Sequence, residues 1–132
     1  LLEERMNYFT PLAEQKRLSI ELDLHSFNFT MERTACIRLL DNIISNAIKY
    51  NTKDKKIYVS TQGRNILIRD EGKGMDDTEQ KQVFERYMRV EKNRGGFGIG
   101  LDIVKQVTSR YDIKIEIKSK PNSGTLFTLK FP

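Results

Sequence analysis

Scarcity sets the first limits on this chain. It has one cysteine, Cys36, one histidine, His25, three prolines and no tryptophan in 132 residues. A single thiol cannot form an internal disulfide, and one histidine beside it cannot complete a Cys/His zinc site. Cys36 falls among apolar residues at helical spacing, where a free thiol behaves as a small buried hydrophobe. No apolar run approaches the roughly 18 residues of a membrane helix. The runs present are broken early, as in Leu39-Leu40-Asp41-Asn42-Ile43-Ile44. No secretory leader is expected from its opening residues either. The first residue is Leu1, not Met, as expected of a piece taken from a longer protein. Also lacking is any long Lys/Arg block or basic-aromatic stripe, which argues against nucleic acid. The run Lys53-Asp54-Lys55-Lys56 reads as a solvated turn. What is present is a balanced soluble composition, 38% hydrophobic and 31% charged, with a net charge of +5. That suits one domain spanning residues 1–132, with one core and an anionic ligand.

Periodicity divides the chain into elements. Residues 1–16 have helical spacing, with Leu2, Met6, Phe9, Leu12 and Ala13 on one side. Leu18, Ile20, Leu22 and Leu24 alternate as a strand, and Phe27-Asn28-Phe29 could add a short second one. A longer helix is expected over residues 31–50, with Ile37, Leu40, Ile44, Ala47 and Ile48 as its apolar stripe. Ile57, Val59 and Thr61, then Ile66 and Ile68, read as a hairpin around Gln62-Gly63-Arg64-Asn65. A glycine-rich polar stretch follows, interrupted by a short helix over residues 79–87. A helix bearing Leu101, Val104, Val107 and Thr108 comes next, then strands through Ile113, Ile115 and Ile117 and over residues 126–131. Two half-buried strand pairs and three amphipathic helices make an α/β two-layer sandwich: a mixed, mostly antiparallel sheet packed on three helices.

Four clusters carry chemistry. Asn42, Asn46 and Lys49 share one helix face, apart from the apolar stripe. Amide oxygens suit Mg²⁺, and a lysine one turn on suits phosphate. Asp70-Glu71-Gly72-Lys73-Gly74-Met75 follows a strand directly. A carboxylate there can accept from an exocyclic amine such as that of adenine, and glycines let backbone come close. Phe84-Glu85-Arg86-Tyr87-Met88-Arg89 puts two arginines three apart, and an arginine fork suits phosphate. Gly95-Gly96-Phe97-Gly98-Ile99-Gly100-Leu101 runs into a helix, whose N-terminus attracts anions. It is not a Walker loop, since no Gly-Lys-Ser/Thr follows, and the chain lacks the His-Arg-Asp and Asp-Phe-Gly signatures of serine/threonine kinases. Taken singly, each cluster has an ordinary structural explanation: a polar helix face, a tight turn, a charged surface helix, a loop.

Taken together and in this order, they resemble the catalytic, ATP-binding domain of sensor histidine kinases, within the wider gyrase/Hsp90/histidine kinase/MutL ATPase superfamily. Residues 39–50 are similar to its N box, 70–75 to the G1 box, 84–89 to the F box and 96–101 to the G2 box. The tail from Ser119 through Gly124, Thr125 and Leu129 is similar to its closing strands. The resemblance implies the Bergerat ATP-binding fold, ATP and Mg²⁺ as cofactors, and transfer of the γ-phosphoryl group to a histidine. By it, Asn46 ligates Mg²⁺ with Asn42 beside it, Lys49 contacts phosphate, and Tyr50 packs near adenine and sugar. Asp70 bonds the adenine amine with Thr125 helping through water, while Gly72, Gly74 and Met75 border the base. Arg89 and Arg86 steady the γ-phosphate, and Gly96, Phe97, Gly98, Ile99, Gly100 and Leu101 form the lid.

The acceptor histidine is expected outside this chain, because His25 lacks the family's acidic flank and reads as a surface residue. The resemblance implies a dimerisation and phosphoacceptor domain as partner, joined through residues 1–7, and a response regulator downstream. It also implies the cytoplasmic part of an inner-membrane sensor, with no membrane or nucleic-acid contact of its own and a monomer in isolation. Two departures stand out: Phe97 replaces a small Thr or Ser, and only residues 90–94 separate Arg89 from Gly95. Related ATP hydrolases carry a Glu where this chain has Asn42, which disfavours hydrolysis. Serine/threonine kinases related to anti-sigma factors often lack a full F box, which is present here.

Overall fold

A computed structural model describes residues 1–52, 54–88 and 101–132. Helix α1 (Leu2–Gln15) leads into strand β1 (Ser19–Asp23), and helix α2 (Arg33–Lys49) crosses to β2 (Lys56–Gln62). Strand β3 (Asn65–Asp70) returns antiparallel to β2. Helices α3 (Asp77–Met88) and α4 (Leu101–Arg110) precede the hairpin of β4 (Lys114–Lys120) and β5 (Gly124–Lys130). The five strands lie in the order β1-β2-β3-β5-β4, with β1 and β2 parallel and every other pair antiparallel. The mixed, mostly antiparallel sheet of an α/β sandwich is therefore present, with four helices among the described residues.

Cross-strand register explains the layers. Val59 faces Ile68, Ile68 faces Phe127, and Phe127 faces Ile117 across adjacent strands. Because side chains alternate along a strand, Ile57, Val59, Ile66, Ile68, Leu129 and Ile115 fall on one face and are buried there. The other face carries charge: Arg69 stacks over Tyr58 at 4.1 Å and Lys130 bonds Glu116 at 2.8 Å. Helix α2 supplies the core's other half through Leu39, Leu40, Ile43, Ile44, Ala47 and Ile48.

Several details depart from the sequence reading. The α2 stripe is wider than expected: Leu39 and Ile43 are buried, while Ile37 is only half-buried. In α1, Met6, Phe9 and Ala13 are buried, but Leu12, at the edge of the face they share, is 47% exposed. Phe27-Asn28-Phe29 forms no strand. Its aromatic rings pack on Phe131 instead, at 5.3 and 5.1 Å between centroids, and this packing takes the place of a ladder. Cys36 is half-buried rather than sealed in the core, at the edge of a groove of about 780 Å³. Burial still pushes its thiol pKa up. The short helix expected over residues 79–87 is a full α3, opened by a reciprocal cap. Glu79 N–H donates to Asp76 Oδ1 at 2.8 Å, and Asp76 N–H donates to Glu79 Oε1 at 3.0 Å.

Candidate functional site

Three stretches distant in sequence meet at one end of the sheet. They are the last turn of α2, the loop after β3 and the β4–β5 turn. Glycine marks each contact. A Cβ on Gly72 would lie 2.5 Å from the Tyr50 carbonyl oxygen, so the loop rests on the end of α2. A Cβ on Gly74 would lie 1.9 Å from the Lys120 carbonyl oxygen, and one on Gly124 2.0 Å from that of Asp70. Gly74 and Gly124 also have φ of +67° and +91°, a region that side chains rarely adopt. These approaches are to the protein's own backbone, a second reason for the glycines beside the one expected from the ligand.

Asp70 ends β3 on the core face, where the alternation Ile66, Ile68 calls for an apolar residue. It is only 6% exposed. Its Oδ1 accepts from the N–H of Gly72 at 2.9 Å and of Thr125 at 3.2 Å. Burial raises its pKa, and the two backbone donors and Arg69 hold the rise in check. Among the described residues Oδ2 accepts no hydrogen bond. A neutral donor such as an aromatic amine suits that oxygen.

The neighbouring strands continue the row. Thr125 pairs with Ser119, and their hydroxyls are 2.9 Å apart. Ser119 Oγ also accepts from Met75 N–H at 2.8 Å and donates to the Gly124 carbonyl at 3.0 Å. Asp70, Thr125 and Ser119 thus form a polar rung across three strands whose other core-face positions are mostly apolar. Ser119 was not singled out from sequence as a site residue. The signal existed, since it follows Ile113, Ile115 and Ile117 at the same two-residue period.

Helix α2 delivers the amides. Asn42 Nδ2 donates to the Arg38 carbonyl one turn back at 2.7 Å, which leaves its Oδ1 as the outward acceptor. Asn46 is half-buried, and its side chain makes no hydrogen bond among the described residues. Lys49 is exposed, with its ammonium 5.5 Å from the Tyr50 ring, and Tyr50 is 49% exposed. Lys16 closes this helix by donating to the carbonyls of Ile48 and Lys49 at 2.8 and 2.7 Å. Such a cation meets the negative end of the helix dipole. Asn51, 4% exposed, holds the exit by donating to the Lys56 carbonyl at 3.1 Å.

Arg86 lies in the last turn of α3 and Leu101 begins α4. Arg89, Gly96, Phe97, Gly98, Ile99 and Gly100 lie outside the described residues, as does Lys53. His25 is a surface residue: its side chain is 74% exposed, 3.5 Å from Asp23. The site therefore joins an amide-bearing helix to a buried carboxylate through glycine contacts. Residues 31–132, most of the chain, match the family described as "Histidine kinase-, DNA gyrase B-, and HSP90-like ATPase".

The chain belongs to this ATPase family.

Membership makes it an ATP-binding domain. Among curated relatives, the ATPase domain is 35% identical over 123 residues to the sensor histidine kinase YkoH of Bacillus subtilis, covering 89% of this chain and 27% of YkoH. It is 28% identical over 138 residues to the alginate biosynthesis sensor protein KinB of Pseudomonas aeruginosa, covering 100% of this chain and 23% of KinB. The chain thus spans about a quarter of the length of these relatives. The mycobacterial sensor histidine kinase MprB has the same fold, with a TM-score of 0.78 at 21% identity, covering 99% of this chain and 91% of that one.

Proposed function

We propose that this domain is the catalytic, ATP-binding part of a two-component sensor histidine kinase. It binds Mg·ATP and passes the γ-phosphoryl group to a histidine on a dimerisation domain outside the chain. The observation that carries the reading is the polar rung of Asp70, Thr125 and Ser119 lying where the end of α2 meets the glycine loop. A purine placed there would donate its amine to Asp70 Oδ2, with Thr125 assisting through water and the Tyr50 ring alongside. Met75, whose N–H is already taken by Ser119, would border the base.

The donor set fits Mg²⁺. Among the described residues no three acidic, histidine or cysteine side chains converge. Protein ligation would therefore come from the amide oxygens of Asn46 and, beside it, Asn42. Mg²⁺ commonly keeps its waters and shares the substrate's phosphates in this way. Bound there, the metal would neutralise phosphate charge, with Lys49, Arg86 and Arg89 adding theirs. Phosphoryl transfer is mainly positioning and charge stabilisation, so these groups suffice in kind. Gly96 through Leu101 would close over the phosphates. Residues 1–7 would carry the connection to the acceptor domain: Met6 is buried and Arg5 bonds Asp41, so the junction is anchored in the fold. A response regulator downstream and a membrane-anchored parent follow from the same reading.

The test is calorimetric titration of Mg·ADP and a non-hydrolysable ATP analogue into wild type, Asp70→Ala and Asn46→Ala. Binding abolished at Asp70, with Mg²⁺ dependence lost at Asn46, supports the assignment. A folded wild type that binds neither nucleotide would overturn it.

A further inference from the structure

Counting protons across the polar rung gives Ser119 a task beyond packing. A hydroxyl has one hydrogen to give and two lone pairs to receive. Ser119 Oγ makes three contacts: Met75 N–H at 2.8 Å, the Gly124 carbonyl at 3.0 Å and Thr125 Oγ1 at 2.9 Å. The Met75 N–H can only donate and the Gly124 carbonyl can only accept. All three bonds are satisfied in one arrangement alone. The Ser119 proton goes to Gly124, and Thr125 donates its own proton to Ser119. Thr125 Oγ1 is then left with lone pairs and no proton for anything else. Beside it, Asp70 Oδ1 is filled by two backbone donors, and Oδ2 is an acceptor as well. The row then presents acceptors only.

We propose that Ser119 is a specificity-determining positioning residue: by taking the Thr125 proton it makes the base pocket accept only, so that the pocket selects a purine with an exocyclic amine over one with a carbonyl at the same place. The inference rests on the adenine reading of the site given above. It assigns that preference to a residue that need not touch the nucleotide. Without Ser119 the Thr125 hydroxyl can rotate and donate, and a purine carbonyl becomes an acceptable partner. Loss of the Met75 and Gly124 bonds would also loosen the loop, which weakens every ligand alike. Only the ratio between bases isolates the proton-orienting role.

The experiment measures Kd for Mg·ADP and Mg·IDP, whose bases carry an amine and a carbonyl at the exocyclic position and a bare and a protonated N1 beside it, in wild type, Ser119→Ala, Ser119→Thr and Thr125→Val. The expected wild-type preference is for ADP. Ser119→Ala should reduce the ADP:IDP preference by about fivefold or more, the scale of one hydrogen bond. Ser119→Thr, which keeps a hydroxyl, should restore it. An unchanged ratio in folded Ser119→Ala overturns the inference while leaving the adenine reading intact. Should Ser119→Ala fail to fold, Thr125→Val decides: it removes the only hydroxyl that could turn to donate, so it must keep the preference through Asp70, and loss of the preference in this folded variant overturns the inference. A wild type that binds neither nucleotide overturns the reading and the inference together.

Discussion

Asp70 shows what a buried carboxylate costs the fold. Burial holds its pKa above the ordinary carboxylate value, so the folded state disfavours the charged form. The sign follows directly. Below the unfolded-state pKa the acid is neutral in both states and costs nothing. As pH rises through the raised folded value, ionisation has to occur in the buried site and stability falls. Asp70→Asn keeps an oxygen to accept from Gly72 and Thr125 but removes the charge. It should raise the melting temperature at pH 7, a gain on the scale of about 1 kcal/mol, and the gain should vanish toward acid pH. Nucleotide binding should fall in the same variant. A melting curve that drops at neutral pH would show that the charge is stabilised by something other than these donors. The neighbouring glycines respond in the opposite way. Gly74→Ala forces a Cβ to within 1.9 Å of the Lys120 carbonyl at a φ of +67°. It should destabilise by about 2 kcal/mol or more in denaturant unfolding. Asn46 and Asp70 could be picked out of the sequence, one as a poor helix former in mid-helix and the other as a carboxylate at a strand end before glycines, whereas Thr125 came only with the family resemblance. The glycine contacts could not be, since Gly74 meets Lys120 only after the sheet has closed.

At the scale of elements, α2 is the part of the site that other elements must hold. Its C-terminal carbonyls bind Lys16 from the turn after α1, and its middle is tied to α1 by Arg5. The Arg5 guanidinium donates to both oxygens of Asp41 at 2.8 and 2.7 Å, with the two side chains 17% and 27% exposed. A two-pronged, half-buried pair is worth more than a surface ion pair. Arg5→Met strands Asp41 and should lower the melting temperature, and the double variant with Asp41→Asn should recover part of the loss, as a double-mutant cycle would show. Lys16→Met removes the helix closure and should cost about 1 kcal/mol in thermal unfolding. Helix and strand periods made the elements legible in advance, and the hairpins followed from their glycine and asparagine turns. What pattern alone could not reveal is tertiary. Leu12 looked like a core residue by spacing, yet it is largely exposed, because the buried face of α1 is the one that Met6, Phe9 and Ala13 share. Phe27 and Phe29 alternate like a strand, but Phe131 offers their rings a better surface than any edge offers their backbone.

The whole molecule determines whether bound ATP is passed on or split by water. Hydrolysis needs a base near the phosphates, and such a base typically contributes about 10²–10⁴-fold. Asn42 is an amide with no basic lone pair to offer, and its nitrogen is already tied to Arg38. The nearest carboxylate along α2, Asp41, is neutralised on both oxygens by Arg5. Glu71, next to Asp70, accepts from Lys56 N–H at 2.9 Å and the Tyr58 hydroxyl at 3.3 Å, so it is occupied in bracing β2. Each carboxylate close to the site along these elements thus already has a structural partner. The domain should therefore bind Mg·ATP and leave it largely intact, releasing phosphate far more slowly than the roughly 1 s⁻¹ at which ordinary enzymes begin. Supplying a histidine-bearing acceptor domain should consume the nucleotide without a matching release of inorganic phosphate. Both quantities are read in one assay, with ADP and inorganic phosphate followed separately. Equal, sustained release of the two by the domain alone would mean that water is the acceptor, and that a base acts from outside the described residues or from a conformation in which Arg5 has let Asp41 go.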